Sequence, residues 1–103
     1  MKYPNPRAAA FVGPEEMADG VWNLWFIGVE PEARRLGPGA ALIHRAEHIA
    51  RQARARLLLI ETSSGAQFAP ARALYTKEGY TLDGEIIGFY GPSQNKVIFR
   101  KTL

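Results

Sequence analysis

The sequence predicts a mixed α/β (α+β) domain with elements in the order β-β-α-β-α-β-β, and three observations carry that reading. Val21–Val29 (VWNLWFIGV) and Leu57–Thr62 (LLLIET) are short, nearly continuous apolar runs of the kind found in central, covered strands. Between them, from Ala40 to about Arg54, the apolar period lengthens from strand to helix spacing. Two further runs at the C-terminal end, Tyr80–Tyr90 and Lys96–Lys101, are separated by the turn-forming Gly91-Pro92-Ser93-Gln94-Asn95. A central β-α-β crossover flanked by hairpins requires a mixed sheet with helices packed on it.

Each element follows from local chemistry. Ala8–Val12 is short and apolar, and Gly13-Pro14 with the polar Glu15–Gly20 makes a connection after it. Val21–Val29 does not alternate, which predicts a strand covered on both faces, and Glu30-Pro31 ends it. In the first helix Leu42, Ala46, Ile49, Ala50 and Ala53 share a stripe, whereas His44, Arg45, His48, Arg51 and Gln52 fall mostly elsewhere. Pro70 suits the first turn of a second helix and Gly79 its C-terminal cap. On that helix Tyr75 shares a face with Ala71, Leu74 and Glu78, so it points inward.

Composition narrows the chemistry. The chain has 103 residues, enough for one domain that buries roughly 60–70% of its unfolded surface. An apolar fraction of 47% excludes a disordered polymer. The absence of cysteine excludes disulfides, a thiol nucleophile, thiolate zinc sites and iron–sulfur clusters. No run reaches the roughly 18 apolar residues of a membrane span, and the first seven residues do not read as a signal peptide. A cytoplasmic protein is expected. The net charge of +3 is modest, but Arg34, Arg35, Arg45, Arg51, Arg54 and Arg56 crowd into one third of the chain, where a small polyanion could meet them.

The segment Arg34-Arg35-Leu36-Gly37-Pro38-Gly39 lies between a buried strand and a helix N-terminus. Two glycines permit close backbone approach, and the free N–H groups at the helix start attract an anion. Neither common nucleotide motif fits: Leu42 stands where the dinucleotide fingerprint needs a third glycine, and there is no Gly-Lys-Ser/Thr. Residues 27–43 (IGVEPEARRLGPGAALI) instead resemble the coenzyme A-binding segment of the GNAT N-acetyltransferase superfamily, with Arg34, Gly37 and Gly39 matching its Arg/Gln-x-x-Gly-x-Gly/Ala turn. Ala71–Tyr80 (ARALYTKEGY) is similar to the family's Ala-x-x-Leu-Tyr-x-x-x-Gly-Phe/Tyr helix.

The resemblance implies a GNAT-like fold over roughly residues 8–103 and an N-acetyltransferase that uses acetyl-CoA as co-substrate and an amine as acceptor, without a metal. Backbone groups of Ile27, Gly28 and Val29 would pair with the pantetheine arm where the central strands splay. Amides of Arg35, Leu36, Gly37, Pro38, Gly39 and Ala40 (less the proline's missing one) would take the pyrophosphate, with Arg34 or Arg35 adding charge. Tyr75 would protonate the departing thiolate, a step worth roughly 10²–10⁴-fold. Asn23 stands where the family often has a glutamate that deprotonates the amine; an amide orders a water at most. Phe68 replaces the family's asparagine at the head of the second helix. The chain also starts near the family's third strand, so the usual first strands and helices, which build much of the acceptor pocket, are expected to be missing or supplied by another chain. An exposed sheet edge then predicts a homodimer.

Other readings compete. A non-catalytic acyl-CoA-binding or interaction module is motivated by Asn23 and Phe68. Arg45, Arg51, Arg54 and Arg56 could form a nucleic-acid surface, although a nucleic-acid partner is not expected. His44-Arg45-Ala46-Glu47-His48 matches H-x-x-E-H, but both imidazoles fall opposite the apolar stripe, so solvated helix polarity accounts for them better than zinc. Ser63-Ser64-Gly65 reads as a loop, lacking the G-x-S-x-G elbow. Trp22, Trp25, Phe26, Phe89, Tyr90 and Phe99 are expected mostly in the core, with some free to line an acceptor cavity or a subunit contact.

Overall fold

The computed structural model describes the backbone of residues 8–29 and 38–103. Its elements are β1 (Ala8–Pro14), β2 (Val21–Val29), α1 (Pro38–Gln52), β3 (Leu57–Ser63), a 3-10 turn (Ala66–Phe68), α2 (Ala69–Lys77), β4 (Thr81–Gly91) and β5 (Gln94–Thr102). This is the predicted mixed order. The five strands form one sheet in the order β1-β2-β3-β5-β4, with β2 and β3 parallel and the other neighbours antiparallel.

Strand alternation divides the sheet into two unlike faces. Leu24, Leu58, Ile60, Val97 and Phe99 point to one side and form a single core with Leu42, Ile43 and Ala46 of α1, Tyr75 of α2, and Tyr80. Asn23, Leu59, Glu61, Ile98 and Arg100 share the other side by register. Among the described residues no helix covers that second face. The expectation that β2 is covered on both sides holds at Asn23 and Leu24, both fully buried, and fails at the next residue, Trp25, which is 46% exposed.

Both helices end in the same way. At the end of α1, Ala55 N–H bonds Ala50 C=O and Arg54 N–H bonds Arg51 C=O, with Arg54 left-handed at φ 62°. At the end of α2, Tyr80 N–H bonds Tyr75 C=O and Gly79 N–H bonds Thr76 C=O, with Gly79 at φ 93°. Each is a Schellman cap, as Gly79 had indicated for α2. The first cap explains a departure from the expected stripe: the helix stops at Gln52, so Ala53 leaves the surface that packs and is exposed, while Ile43 joins the core.

Glu47 also departs from the wet helix face read around the two histidines. It is 4% exposed and accepts hydrogen bonds from Tyr80 Oη (2.7 Å) and Lys101 Nζ (2.9 Å), with Arg51 at 3.7 Å. These contacts tie α1 to the end of α2 and to β5. Burial alone would raise the Glu47 pKa, yet Tyr80, Lys101 and Arg51 together hold it below its ordinary value. His44 and His48 are exposed as expected, His44 meeting Glu78 at 2.5 Å, and no metal-holding group occurs among the described residues. The aromatic expectation holds for Phe99, whereas Phe89 and Tyr90 are half exposed on β4, and the Phe26 side chain lies outside the described part. An outermost strand has one neighbour only, so β4 lacks the cover that would bury them.

Candidate active site

The two central strands part midway. β2 and β3 are paired only from Val21/Leu57 to Leu24/Ile60. Beyond that point β2 keeps its bonds to β1, and Glu61–Ser63 of β3 keep theirs to β5. The β1–β2 ladder shifts register at the same place: Phe11 pairs with Phe26 and Val12 with Leu24, leaving Trp25 without a partner. A bulge adds twist and bends its strand, which turns β2 away from β3. The result is an opening between parallel strands, bordered by the free edge of residues 25–29.

Ile27, Gly28 and Val29 lie on that edge, opposite Ala10, Ala9 and Ala8 of β1. Their backbone groups directed away from β1 can therefore pair with an extended ligand, the role expected of them. Pro38, Gly39 and Ala40 form the first turn of α1, where amides without intrahelical partners are available. Arg34, Arg35, Leu36 and Gly37 lie outside the described residues. The open strand edge and the helix start are the two described parts of the site that the resemblance assigns to an acyl-CoA.

Tyr75 enters from the helix side of the sheet. It is 3% exposed, and its ring meets Phe99 edge-on at 5.6 Å and 71°. Phe99 is the cross-strand partner of Ile60, the last β3 residue paired with β2. Burial pushes the Tyr75 hydroxyl up to about 12, so it stays protonated at neutral pH. Tyr80, by contrast, commits its hydroxyl to Glu47.

Asn23 approaches from the other face. It is fully buried, and its Nδ2 donates to Glu15 Oε1 at 2.6 Å and to Glu61 Oε2 at 2.7 Å. Its Oδ1 is buried without a hydrogen-bond partner. Lys96 Nζ lies 2.6 Å from Glu61 Oε1 and 4.4 Å from the centre of the Phe89 ring. The amide at position 23 thus holds two carboxylates, one from the β1–β2 connection and one from the point where β3 leaves β2. Sequence reasoning missed Glu15, Glu61 and Lys96. Glu61 gave one signal, as the sole charge in its strand.

The segment after β3 is fixed firmly. Arg72 Nη1 donates to Ser63 C=O (2.7 Å) and Gly65 C=O (2.9 Å). Ser64 N–H bonds Asn95 C=O, and Asn95 N–H returns a bond to Ser64 Oγ, both at 2.9 Å. One wall of the opening is thereby pinned to the β4–β5 hairpin. Ser63 is the last residue of β3 and is buried, not part of the loop expected there.

Comparison with known proteins agrees with this geometry. The family model of the acetyltransferase (GNAT) domain matches residues 7–82. A 5-NmdU N-acetyltransferase of Pseudomonas phage PaMx11 is 43% identical over 68 residues, covering 66% of this chain and 45% of the phage protein. Among solved structures, a GNAT-family protein from Desulfovibrio desulfuricans superposes with a TM-score of 0.88 at 29% identity, over 99% of this chain and 64% of its own. Nourseothricin acetyltransferase gives 0.82 at 25% identity, over 93% and 57%. The chain thus spans less than half of the phage relative and under two thirds of these structures. A family model covering most of its length, on a sheet whose central strands part beside a helix start, makes the chain a member of the GNAT acetyltransferase family.

Proposed function

We propose that the chain is a single acyl-CoA-binding unit that transfers an acetyl group from acetyl-CoA to a primary amine. The observation that carries this reading is the parting of β2 and β3 at Leu24/Ile60, with Tyr75 buried on the helix side of the sheet. Acetyl-CoA, when bound, supplies a thioester-activated acetyl group. The free edge of Ile27, Gly28 and Val29 holds its arm, and the first turn of α1 at Pro38, Gly39 and Ala40 receives its phosphates. Arg34, Arg35, Leu36 and Gly37 are assigned to the same phosphate site by their pattern. Tyr75, held protonated by burial, gives its proton to the departing sulfur. Much of the remaining rate enhancement comes from holding amine and thioester together.

The phage relative's name supports an amine acceptor and makes 5-NmdU the first one to try. A cytoplasmic setting and a homodimer belong to the same reading. The dimer is supported by the outer strand β4, where Leu82, Ile86, Ile87, Phe89 and Tyr90 are exposed. Light scattering at micromolar concentration tests it, a monomer counting against it.

The main test is release of coenzyme A thiol in the presence of acetyl-CoA and either 5-NmdU or simple primary amines. Because the protein has no cysteine, a thiol reagent reports only coenzyme A. Thiol release matched by an acetylated product in mass spectrometry is expected. Binding of acetyl-CoA without turnover of any amine would favour the non-catalytic acyl-CoA-binding module, which Asn23 and Phe68 had motivated. No binding by the folded protein would overturn both.

A further inference from the structure

Resting on the acetyl-transfer reading, we propose that Phe89 determines acceptor specificity: its ring, held beside the opening by a bulge in β4, receives a flat ring of the acceptor. The preferred substrates are then primary amines joined by a short link to an aromatic or heteroaromatic ring. The β4–β5 ladder steps from Ile86/Lys96 directly to Gly91/Gln94. Residues 87–90 of β4 therefore stand against Asn95 alone, an enlarged bulge that lifts Phe89 and Tyr90 out of the pairing. Gly88 takes the left-handed φ of 71° within it, and its N–H donates to Asn95 Oδ1 at 2.9 Å. Asn95 Nδ2 donates to Glu85 Oε2 at 2.6 Å. The same Asn95 is tied twice to Ser64, just beyond β3. The bulge is thus fixed from both sides, as part of the wall of the opening.

Neither ring in it serves the core. Phe89 is 52% exposed and Tyr90 50%, and they meet each other edge-on with centres 4.9 Å apart. One contact leads from Phe89 to the opening. Lys96 Nζ lies 4.4 Å from its ring centre and 2.6 Å from Glu61 Oε1, so a single ammonium separates the ring from the first β3 residue beyond the last pair with β2. Ile86, the cross-strand partner of Lys96, shares its face and is 46% exposed, which extends the apolar surface beside the ring. An aromatic side chain fixed before binding loses little freedom when a ligand arrives. Its quadrupole favours a second ring, offset or edge-to-face, over a saturated group of the same size. The acceptor nitrogen must reach the thioester between β2 and β3 while its ring rests on Phe89, and that requirement keeps the link between them short.

The test compares benzylamine with cyclohexylmethylamine, which has the same carbon count and the same amine but no aromatic face. ¹⁵N NMR of the Gly88 and Phe89 backbone amides during titration with each ammonium salt should show saturable shifts with benzylammonium and several-fold weaker binding of the saturated ion. In acetyl transfer, benzylamine should have the lower KM. Phe89→Leu should raise that KM by about 2–10-fold and make the two amines alike, whereas Phe89→Tyr should keep the preference. Phe89 lies half outside the packed structure, so the variants fold, and melting curves check this. Equal binding of the two ions by the wild type, or a preference that survives Phe89→Leu, would overturn the proposal. A lower mass of Phe89→Leu in light scattering with the preference intact would make the ring a subunit contact and overturn it equally. If the wild-type protein acetylates no amine, the acetyl-transfer reading falls, while the two titrations still decide whether Phe89 receives an aromatic ring.

Discussion

Tyr75→Phe deletes one oxygen and leaves the ring that meets Phe99 edge-on at 5.6 Å. The packing of a residue only 3% exposed is therefore preserved, and the stability change should stay within about 1 kcal/mol. The rate should not be preserved. A positioned general acid is worth about 10²–10⁴-fold, which at 1.36 kcal/mol per decade is about 2.7–5.4 kcal/mol of barrier. Because burial raises the hydroxyl from its ordinary 10.0 to about 12, roughly one molecule in 10⁴ is ionised at pH 8. As the proposed acid, Tyr75 would stay protonated across the usual assay range and would impose no loss of kcat until pH approaches 12. The assay is thiol release at saturating acetyl-CoA and amine, with calorimetric titration of acetyl-CoA alongside. The expected result is a kcat lowered by two to four decades with cofactor affinity retained. A kcat equal to the wild type's would refute the role of Tyr75, and an equal loss of cofactor affinity would make it a binding residue instead.

The same hydroxyl shapes alkaline stability. A folded pKa above the unfolded one means that Tyr75 contributes fully below pH 10 and that roughly 2–3 kcal/mol is lost as pH rises toward 12; denaturant melts of Tyr75→Phe should show a shallower alkaline decline. Glu47 acts at the other end: its lowered pKa gives stability that is present above pH 4.5 and lost on further acidification, so Glu47→Gln should flatten the acid limb of the same measurement. Lys101→Met removes one of the donors to the buried Glu47 carboxylate and the bond to Glu78 C=O, and urea unfolding should show a loss of about 1–3 kcal/mol. Gly79→Ala meets only ordinary contact, with Lys101 Cε 3.5 Å from the new Cβ, so its cost is the backbone strain at φ 93°, about 1–2 kcal/mol in thermal melts.

Element order, the cap at Gly79 and the inward direction of Tyr75 were legible in the chain because each depends on near neighbours. Residues at helical spacing share a face whatever the fold, and a glycine after an apolar helix turn can take the left-handed angle there. The glycines and arginines set before a helix were visible for the same reason, and the phosphate role proposed for them rests on that pattern alone. Asn23 was legible only as a position, since the spacing put an amide where a base was sought.

What surrounds Asn23 was decided by tertiary structure. Glu61 lies 38 positions away, and Glu15 belongs to a polar connection with no apolar period to orient it. Both reach the same amide nitrogen because Gly13 and Leu59 flank Asn23 in register, placing Glu15 and Glu61 two residues further along the same face. The bulge at Trp25 likewise sets where β2 leaves β3, and no local pattern marks it. Local periodicity determines which way a side chain faces relative to its neighbours, so the chain alone settled the elements and their inner faces. Register between distant strands determines which side chains meet, and it is fixed only when the whole sheet assembles around its core.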